Sequence, residues 1–462
     1  MYKPHQVNPQ IFREYDIRGV VGEDLTESTV YLIGRAYGTF LRQENIFTAV
    51  LGRDPRLSSY AYSRAICQAL MDSGVSVLDI GMATTPLFYF ARAKYGIEGG
   101  VMVTGSHNPP EFNGFKLGFG PDTLYGEEIK NIYEIIQSGE FECGSGQLTE
   151  KDPLPDYVDD IANRITLGPK EVRCVVDAGN GASGPVVEAV FDRLGVKYRG
   201  LFLEPDGTFP NHHPDPTQQK NLRALIEAVK ETEADVGIGF DGDGDRIGVV
   251  DELGNPLWGD QLQAVFWSEI LPKHPGALAL IEVKCSQALF DVVEKLGGIP
   301  EFTQAGHSLI KARMRQTGAL FAGEMSGHMF FKDEYYGFDD AIYAAARLLR
   351  LLSNSEKRLS DFVKGMPRYY STPEVRVFCP DDDKFNVVED LIRDLGKEYE
   401  IITVDGARIV FPGGWGLVRV SNTQPALVLR AEASTCEQLE SIKRVIEGKL
   451  SEHPTVGVIE WE

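Results

Sequence analysis

Three stretches of this chain repeat one plan, and that repetition limits the folds open to it. The first reads TAVLGRD, then AYSRAICQALMDSG, then VSVLDIG; the second RCVVDAGNG, then PVVEAVFDRLG, then VKYRGLF; the third LALIEVKCS, then ALFDVVEKLGG, then IPEFTQAG. Each is a β-branched run, a turn, an amphipathic helical segment stopped by glycine (Gly74, Gly195, Gly297) and a second extended run. Apolar strands alternating with helices imply parallel βαβ units covered on both faces. Three spaced copies predict three related α/β domains with mixed, mainly parallel sheets. The pattern then stops. From EVRVFCP onward come several closely spaced strands between two helical segments, KFNVVEDLIRDLG and STCEQLESIKRVIEGKL, which predict a C-terminal α+β domain with an antiparallel sheet. Pro- and Gly-bearing turns at TEKDPLPDY, ELGNP and VKGMPRYYSTP place the boundaries, giving domains 1–152, 153–255, 256–367 and 368–462.

A formal charge of −22 argues against a nucleic-acid partner, because binding a phosphate backbone needs a basic face. An acidic chain that takes a small anion must instead concentrate Lys and Arg inside its Gly-rich loops. The six cysteines (Cys67, Cys143, Cys174, Cys285, Cys379, Cys436) form no CxxC pair, which fits a reducing, cytoplasmic setting and neither a disulfide framework nor a zinc site. MYKPHQVNPQIF lacks the basic and apolar regions of an export signal, and no apolar run approaches the roughly 18 residues of a membrane span.

Four loops carry candidate chemistry. In VMVTGSHNPPEFNGFK a strand ends at Thr104-Gly105-Ser106-His107-Asn108, presenting a serine hydroxyl where α/β sites form. That hydroxyl needs a base or metal to act as a nucleophile, and His107 and Lys116 are the nearby candidates. In Asp241-Gly-Asp-Gly-Asp-Arg246 three carboxylates alternate with glycines between two apolar runs, and such charges repel unless a cation sits among them. Glu252 at the twelfth position suggests an EF-hand, but Arg246 stands where that loop needs Gly, and strands flank it. A hard divalent ion with few protein ligands, Mg2+, fits better. In Gly323-Glu-Met-Ser-Gly-His328, Glu324 and Ser326 at spacing two share one side of an extended loop and suit vicinal hydroxyls. His328, and His307 in Ala-Gly-His-Ser, add groups that titrate near neutrality. Arg419-Val-Ser-Asn-Thr423, after PGGWG, offers one Arg and three short polar side chains as an anion cradle.

Together FREYDIRG, TGSHNPPEFNGFK, FDGDGDR, GEMSGH and RVSNT, in this order, resemble the α-D-phosphohexomutase family over nearly the whole chain, within it the bacterial phosphomannomutase/phosphoglucomutase group. The resemblance implies four domains around a central cleft and the reversible interconversion of hexose 1-phosphate and hexose 6-phosphate through a phosphoserine and a 1,6-bisphosphate. It implies Ser106 as phosphoryl carrier, with Asp241, Asp243, Asp245 and the Ser106 oxygen holding one Mg2+ per chain. Tyr15, Arg18 and Arg246 would lie near the transferred phosphate, and Lys116 and His328 would handle protons. Lys284, His307, Glu324 and Ser326 would face the sugar. Arg419, Ser421, Asn422 and Thr423 would clamp the phosphate that is not reacting. A hexose 1,6-bisphosphate would act as activator and a small-molecule phosphosugar as substrate, with no membrane and no obligate protein partner. The C-terminal domain would swing as a lid. Three alternatives stand beside this reading. Phosphoglucosamine mutases usually carry Gln where this chain has Met325; a sugar-phosphate phosphatase would pass the phosphoryl group to water; a non-catalytic sensor has no use for the nucleophile.

Overall fold

The computed structural model describes residues 7–421 and 424–461. They group into two compact units, 1–262 with 326–363 and 263–325 with 364–462.

In the first unit, the Thr48–Arg53, Ser76–Met82 and Gly99–Val103 strands run parallel, and Phe112–Phe119 turns back antiparallel to Gly99–Val103. Ile17–Val20 pairs on the far side of Phe112–Phe119 and closes that edge. This sheet is mixed rather than wholly parallel because the chain returns at once after residues 104–111 instead of crossing over through a helix. Ile33, Tyr37, Ile66, Leu70, Val101, Phe115 and Ile132 fill its core. The helix Glu27–Gln43 that covers it is capped by Thr26, whose hydroxyl accepts from the Thr29 amide.

A second sheet in the same unit carries Arg173–Asp177 parallel to Lys197–Leu201 and to Val236–Phe240. Ile247–Asp251 then pairs antiparallel with Val236–Phe240, so residues 241–246 form the tight link between adjacent strands. The helix Ser183–Leu194 ends at Gly195 in the left-handed region (φ 72°), as the glycine stop predicts. The segment 326–363 is pinned to this region by backbone bonds. The Ile247 amide donates to the Gly327 carbonyl, and the Ala341 amide to that of Gly244. Asp340 caps the helix Ala341–Ser353 by accepting from the Tyr343 amide, and the same carboxylate takes the hydroxyls of Tyr157 and Tyr335.

In the second unit, Leu278–Glu282 lies between Ile299–Thr303 and Phe321–Gly323, all parallel. The C-terminal sheet is antiparallel throughout, with Gly414–Val420 and Ala426–Ala433 at its centre. Lys384–Leu395 and Cys436–Leu450 pack on it through Val388, Leu391, Ile442 and Ile446. Arg408 joins the two parts of this unit. It is buried, stacks over Trp415 and Phe302, and donates to the carbonyls of Val283 and Cys285. Among the described residues no helix is long and apolar enough to cross a membrane, and all six cysteines are unbridged.

Candidate active site

The strand Gly99–Val103 delivers residues 104–108 to the end of its sheet, where Ser106 takes a positive φ of 49°. A non-glycine residue held there is strained by about 1–3 kcal/mol, and the surroundings must enforce it. They do so through two residues outside the loop. Asp54 accepts from the Thr104 hydroxyl (2.9 Å) and the Gly105 amide (3.2 Å). Arg56, bonded to Asp54, donates to the carbonyls of Ser106 (2.8 Å), Asn108, Pro109 and Phe112. A Cβ on Gly105 would lie 2.6 Å from the Arg56 guanidinium, so glycine is required for this close approach. Arg56→Lys is expected to lower kcat about 10–100-fold with KM little changed. One ammonium cannot reach all these carbonyls at once, and those left unpaired cost about 1–3 kcal/mol. Steady-state kinetics and thermal unfolding check this.

Ser106 Oγ donates to Asp241 Oδ2 at 2.9 Å and lies 3.1 Å from His107 Nδ1. The second sheet supplies the rest. Asp241, Asp243 and Asp245 are all buried, with ligand-capable oxygens within 4.8 Å of one another. Asp241 Oδ1 accepts the amides of Gly244, Asp245 and Arg246, which folds the loop around its own carboxylate. Burial and the two neighbouring carboxylates push the Asp241 pKa well up. Burial also acts on Asp243, yet Lys116, with Thr85, holds it below the usual carboxylate range. Lys116 Nζ lies 2.9 Å from Asp243 Oδ2 and also bonds Asp245 Oδ2, and these two carboxylates outweigh burial and keep it an ammonium. The loop is fit for a hard divalent cation by a specific observation. Asp243 Oδ1 and Asp245 Oδ1 are buried and make no hydrogen bond among the described residues.

His328 joins this group. Its Nε2 accepts from Arg246 Nε at 3.1 Å, and its Nδ1 lies 3.2 Å from Asp339 and 3.7 Å from Asp245. Arg18 reaches the serine loop by donating to Asn108 Oδ1 at 2.9 Å. Tyr15 is half-buried in the turn before Ile17–Val20, and Ser326 is half-buried at the start of 326–363. His107 is held neutral, its pKa driven well down by burial and by Arg246 and Arg18.

The second unit carries its own polar cluster. Lys284 Nζ lies 3.1 Å from Glu374 and 3.4 Å from Glu282. Burial works against the ionised Glu374, but Lys284 brings its pKa down to about 2. Glu324 accepts the Gly306 amide at 2.7 Å, next to His307 at the start of the helix His307–Thr317. Arg419 Nε donates to Asp405 at 3.0 Å, and the same carboxylate oxygen takes the Ala305 amide. Ser421 follows the strand Gly414–Val420 and offers its carbonyl to Lys384. Asn422 and Thr423 lie outside the described residues.

Sequence reasoning did not single out Asp54, Arg56, Asp339, Asp405, Glu282 or Glu374. RDPR reads as an ordinary polar turn, and Asp339 as half of an acidic pair before a helix. Asp54 and Arg56 reach residues 104–112, Asp405 reaches Arg419 and Glu374 reaches Lys284, and such long-range contacts leave no local pattern.

The arrangement joins a buried hydroxyl, three clustered carboxylates and several cations, which suits phosphoryl transfer. Models of the phosphoglucomutase/phosphomannomutase α/β/α domains I, II and III match residues 9–142, 155–254 and 258–370, and that of the C-terminal domain matches 374–449. The chain belongs to this family. It is 45% identical over 441 residues to a phosphomannomutase/phosphoglucomutase of Pseudomonas aeruginosa, covering 95% of each chain. It is 43% identical over 453 residues to a phosphoglucomutase of Neisseria gonorrhoeae, covering 97% of this chain and 98% of that one. A crystal structure of a phosphoglucomutase/phosphomannomutase family protein from Burkholderia thailandensis superposes with a TM-score of 0.92 at 40% identity, over 98% of this chain and 99% of that one. Like the family's other members, this chain is an intramolecular phosphotransferase of the isomerase class.

Proposed function

We propose that the chain interconverts hexose 1-phosphates and hexose 6-phosphates, of mannose, glucose or both, by way of a phosphoryl group on Ser106 and a hexose 1,6-bisphosphate. The observation that carries this is the Ser106 hydroxyl, set 2.9 Å from Asp241 at the edge of a buried three-carboxylate loop. A hydroxyl there can carry a phosphoryl group whose oxygens share a cation with the aspartates.

In the transfer step the bond between Ser106 Oγ and phosphorus breaks as one forms to the free sugar hydroxyl. The hydroxyl gives its proton to a base, and Ser106 Oγ recovers one. Lys116 and His328 are the proton-handling groups, oriented by Asp243 and Asp245 and by Arg246 and Asp339 respectively. Arg18 and Arg246 bear on the transferred phosphate, with Tyr15 beside them. Lys284, His307, Glu324 and Ser326 serve the sugar, and Arg419, Ser421, Asn422 and Thr423 the other phosphate. After the sugar turns over, its second phosphate returns to Ser106. Asp241, Asp243, Asp245 and the Ser106 oxygen would hold one Mg2+, which neutralises phosphoryl oxygens. A hexose 1,6-bisphosphate would prime the enzyme. The four-domain division at 152, 255 and 367, and a cytoplasmic site of action, complete the reading.

A coupled assay with mannose 1-phosphate and glucose 1-phosphate, with and without a hexose 1,6-bisphosphate, tests it, with glucosamine 1-phosphate as competitor. Bisphosphate-stimulated isomerisation without phosphate release is expected. Stoichiometric release of inorganic phosphate would make the chain a phosphatase.

A further inference from the structure

The segment 206–217, from the domain that carries the aspartate loop, belongs to none of the motifs above, yet it meets the nucleophile loop and the groups around it at three points. The Phe209 ring, buried and held at a φ of 48°, lies under the Arg56 guanidinium at 5.2 Å. Arg56 is the residue that donates to the Ser106 carbonyl. His213 lies near His107, close enough that each acts on the other's protonation. Pro214 packs beside Gly242, where a Cβ would stand 2.5 Å from the Ser106 carbonyl oxygen and 3.5 Å from Pro214 Cγ.

One ion pair anchors this segment. His212 Nε2 faces both oxygens of Asp177, at 3.1 and 3.0 Å, and His212 Nδ1 faces the His213 carbonyl at 3.0 Å. Both ring nitrogens meet only acceptors, so both must donate, and the ring is an imidazolium paired with a carboxylate. Asp177 is buried at the end of the strand Arg173–Asp177 and also takes the Gly179 amide, so it cannot follow the loop if the loop moves. The ring of His212 meets Phe202 edge to face at 5.4 Å, which fixes its plane.

We propose that Asp177 and His212 are positioning residues for the phosphoryl carrier. Their pair fastens 206–217 so that Phe209 and His213 hold Arg56 and the Ser106–His107 backbone in the strained conformation that presents Oγ. This rests on the assignment of Ser106 as carrier. A charge-assisted bond to a rigid strand end is the natural anchor here, because the segment between Leu201 and Gln219 contains no helix or strand of its own. A displacement of about 1 Å at a reacting group costs on the order of 100-fold in rate, so a modest loosening of this anchor has a large kinetic effect.

The test uses the full-length chain with Asp177→Asn and His212→Asn. Single-turnover phosphorylation of Ser106 by a hexose 1,6-bisphosphate is expected to slow about 10–100-fold, with KM for hexose phosphate little changed. Amide hydrogen exchange at 105–109 should rise, while the C-terminal strand Ala426–Ala433 stays protected. A general loss of stability would raise exchange in both places. Phe209→Leu and His213→Ala remove the two bracing contacts separately, and each should move rate and exchange the same way; they keep the test open if the pair variants do not fold. Unchanged phosphorylation rates and unchanged exchange at 105–109 in these variants would overturn the proposal. Failure of the wild-type chain to take phosphate on Ser106 would defeat the carrier assignment instead, and the exchange comparison would still decide whether the pair orders the loop.

Discussion

Ser106→Ala is expected to lower kcat by four orders of magnitude or more, the scale on which nucleophile removal acts in enzymes that work through a covalent intermediate. The fold should survive the change. Ser106 Oγ makes contacts with Asp241 and His107, and losing them leaves one carboxylate oxygen short of a donor, a cost of about 1–3 kcal/mol. The brace around the loop acts on its backbone, since Arg56 holds the Ser106 carbonyl and the Thr104 hydroxyl receives the Ser106 amide. Alanine leaves both intact. The expected signature is therefore a large kcat defect with hexose-phosphate binding close to normal by calorimetry and a small shift in melting temperature. Residual turnover within a factor of about ten of wild type would mean that phosphate passes directly between sugars, because removal of a true carrier has far larger effects.

Lys116→Met should produce the second large effect, in stability as well as rate. Lys116 is the ammonium between Asp243 and Asp245, whose side chains are 0% and 1% exposed. Breaking a buried ion pair by removing one partner costs about 3–5 kcal/mol, because the other charge stays buried without compensation. The loss should be greatest without divalent ions. Added Mg2+ should then raise the melting temperature of the variant more than that of wild type, since a bound cation replaces the missing charge. The pH dependence has a definite sign. The pKa of Lys116 is raised in the folded protein, so its contribution is present below its unfolded value near 10.5 and is lost as pH rises through the folded value. The pKa of Asp243 is depressed, so its contribution is present above 3.8 and is lost as pH falls through the folded value. The gap in stability between variant and wild type should thus hold steady from about pH 5 to 9 and close in stronger acid. Turnover should fall about 100- to 10,000-fold if Lys116 moves a proton in the transition state. Equal melting temperatures without divalent ions would show that the triad does not depend on this ammonium.

Part of this architecture is legible in the sequence alone. The helix stop at Gly195, the turn 241–246 between two apolar strands and the antiparallel C-terminal sheet all follow from local pattern. A glycine, an alternation or a β-branched run acts within a few residues of itself. Ser106 and the three aspartates stand out in the sequence through their own Gly-rich loops, although their partners Asp241, Arg56 and Lys116 lie far along the chain. Mixed, mainly parallel sheets follow from the repeat, but not which strand runs antiparallel, because the return of Phe112–Phe119 depends on how tightly residues 104–111 fold, and Arg56 holds that turn. Asp339 beside His328 and Asp405 beside Arg419 were missed for the same reason. A charge pair between elements has no spacing rule, and burial alone tells a structural carboxylate from a solvated one. His107 shows the limit in the other direction: adjacency makes it a candidate partner for Ser106, and the structure sets it at 3.1 Å, but its low pKa comes from burial and then from Arg246, far along the chain.

The central claim is that one side-chain oxygen holds the phosphoryl group between the two ends of the sugar. Its most direct test is to mix the full-length enzyme with a hexose 1,6-bisphosphate labelled in both phosphates, quench during turnover, digest, and map the label by mass spectrometry. The label is expected on the peptide containing Ser106, at Ser106 itself, and it should chase into hexose phosphate when unlabelled substrate is added. Isomerisation that proceeds while Ser106 stays unlabelled, or label lodged on another residue that chases at the catalytic rate, would contradict it.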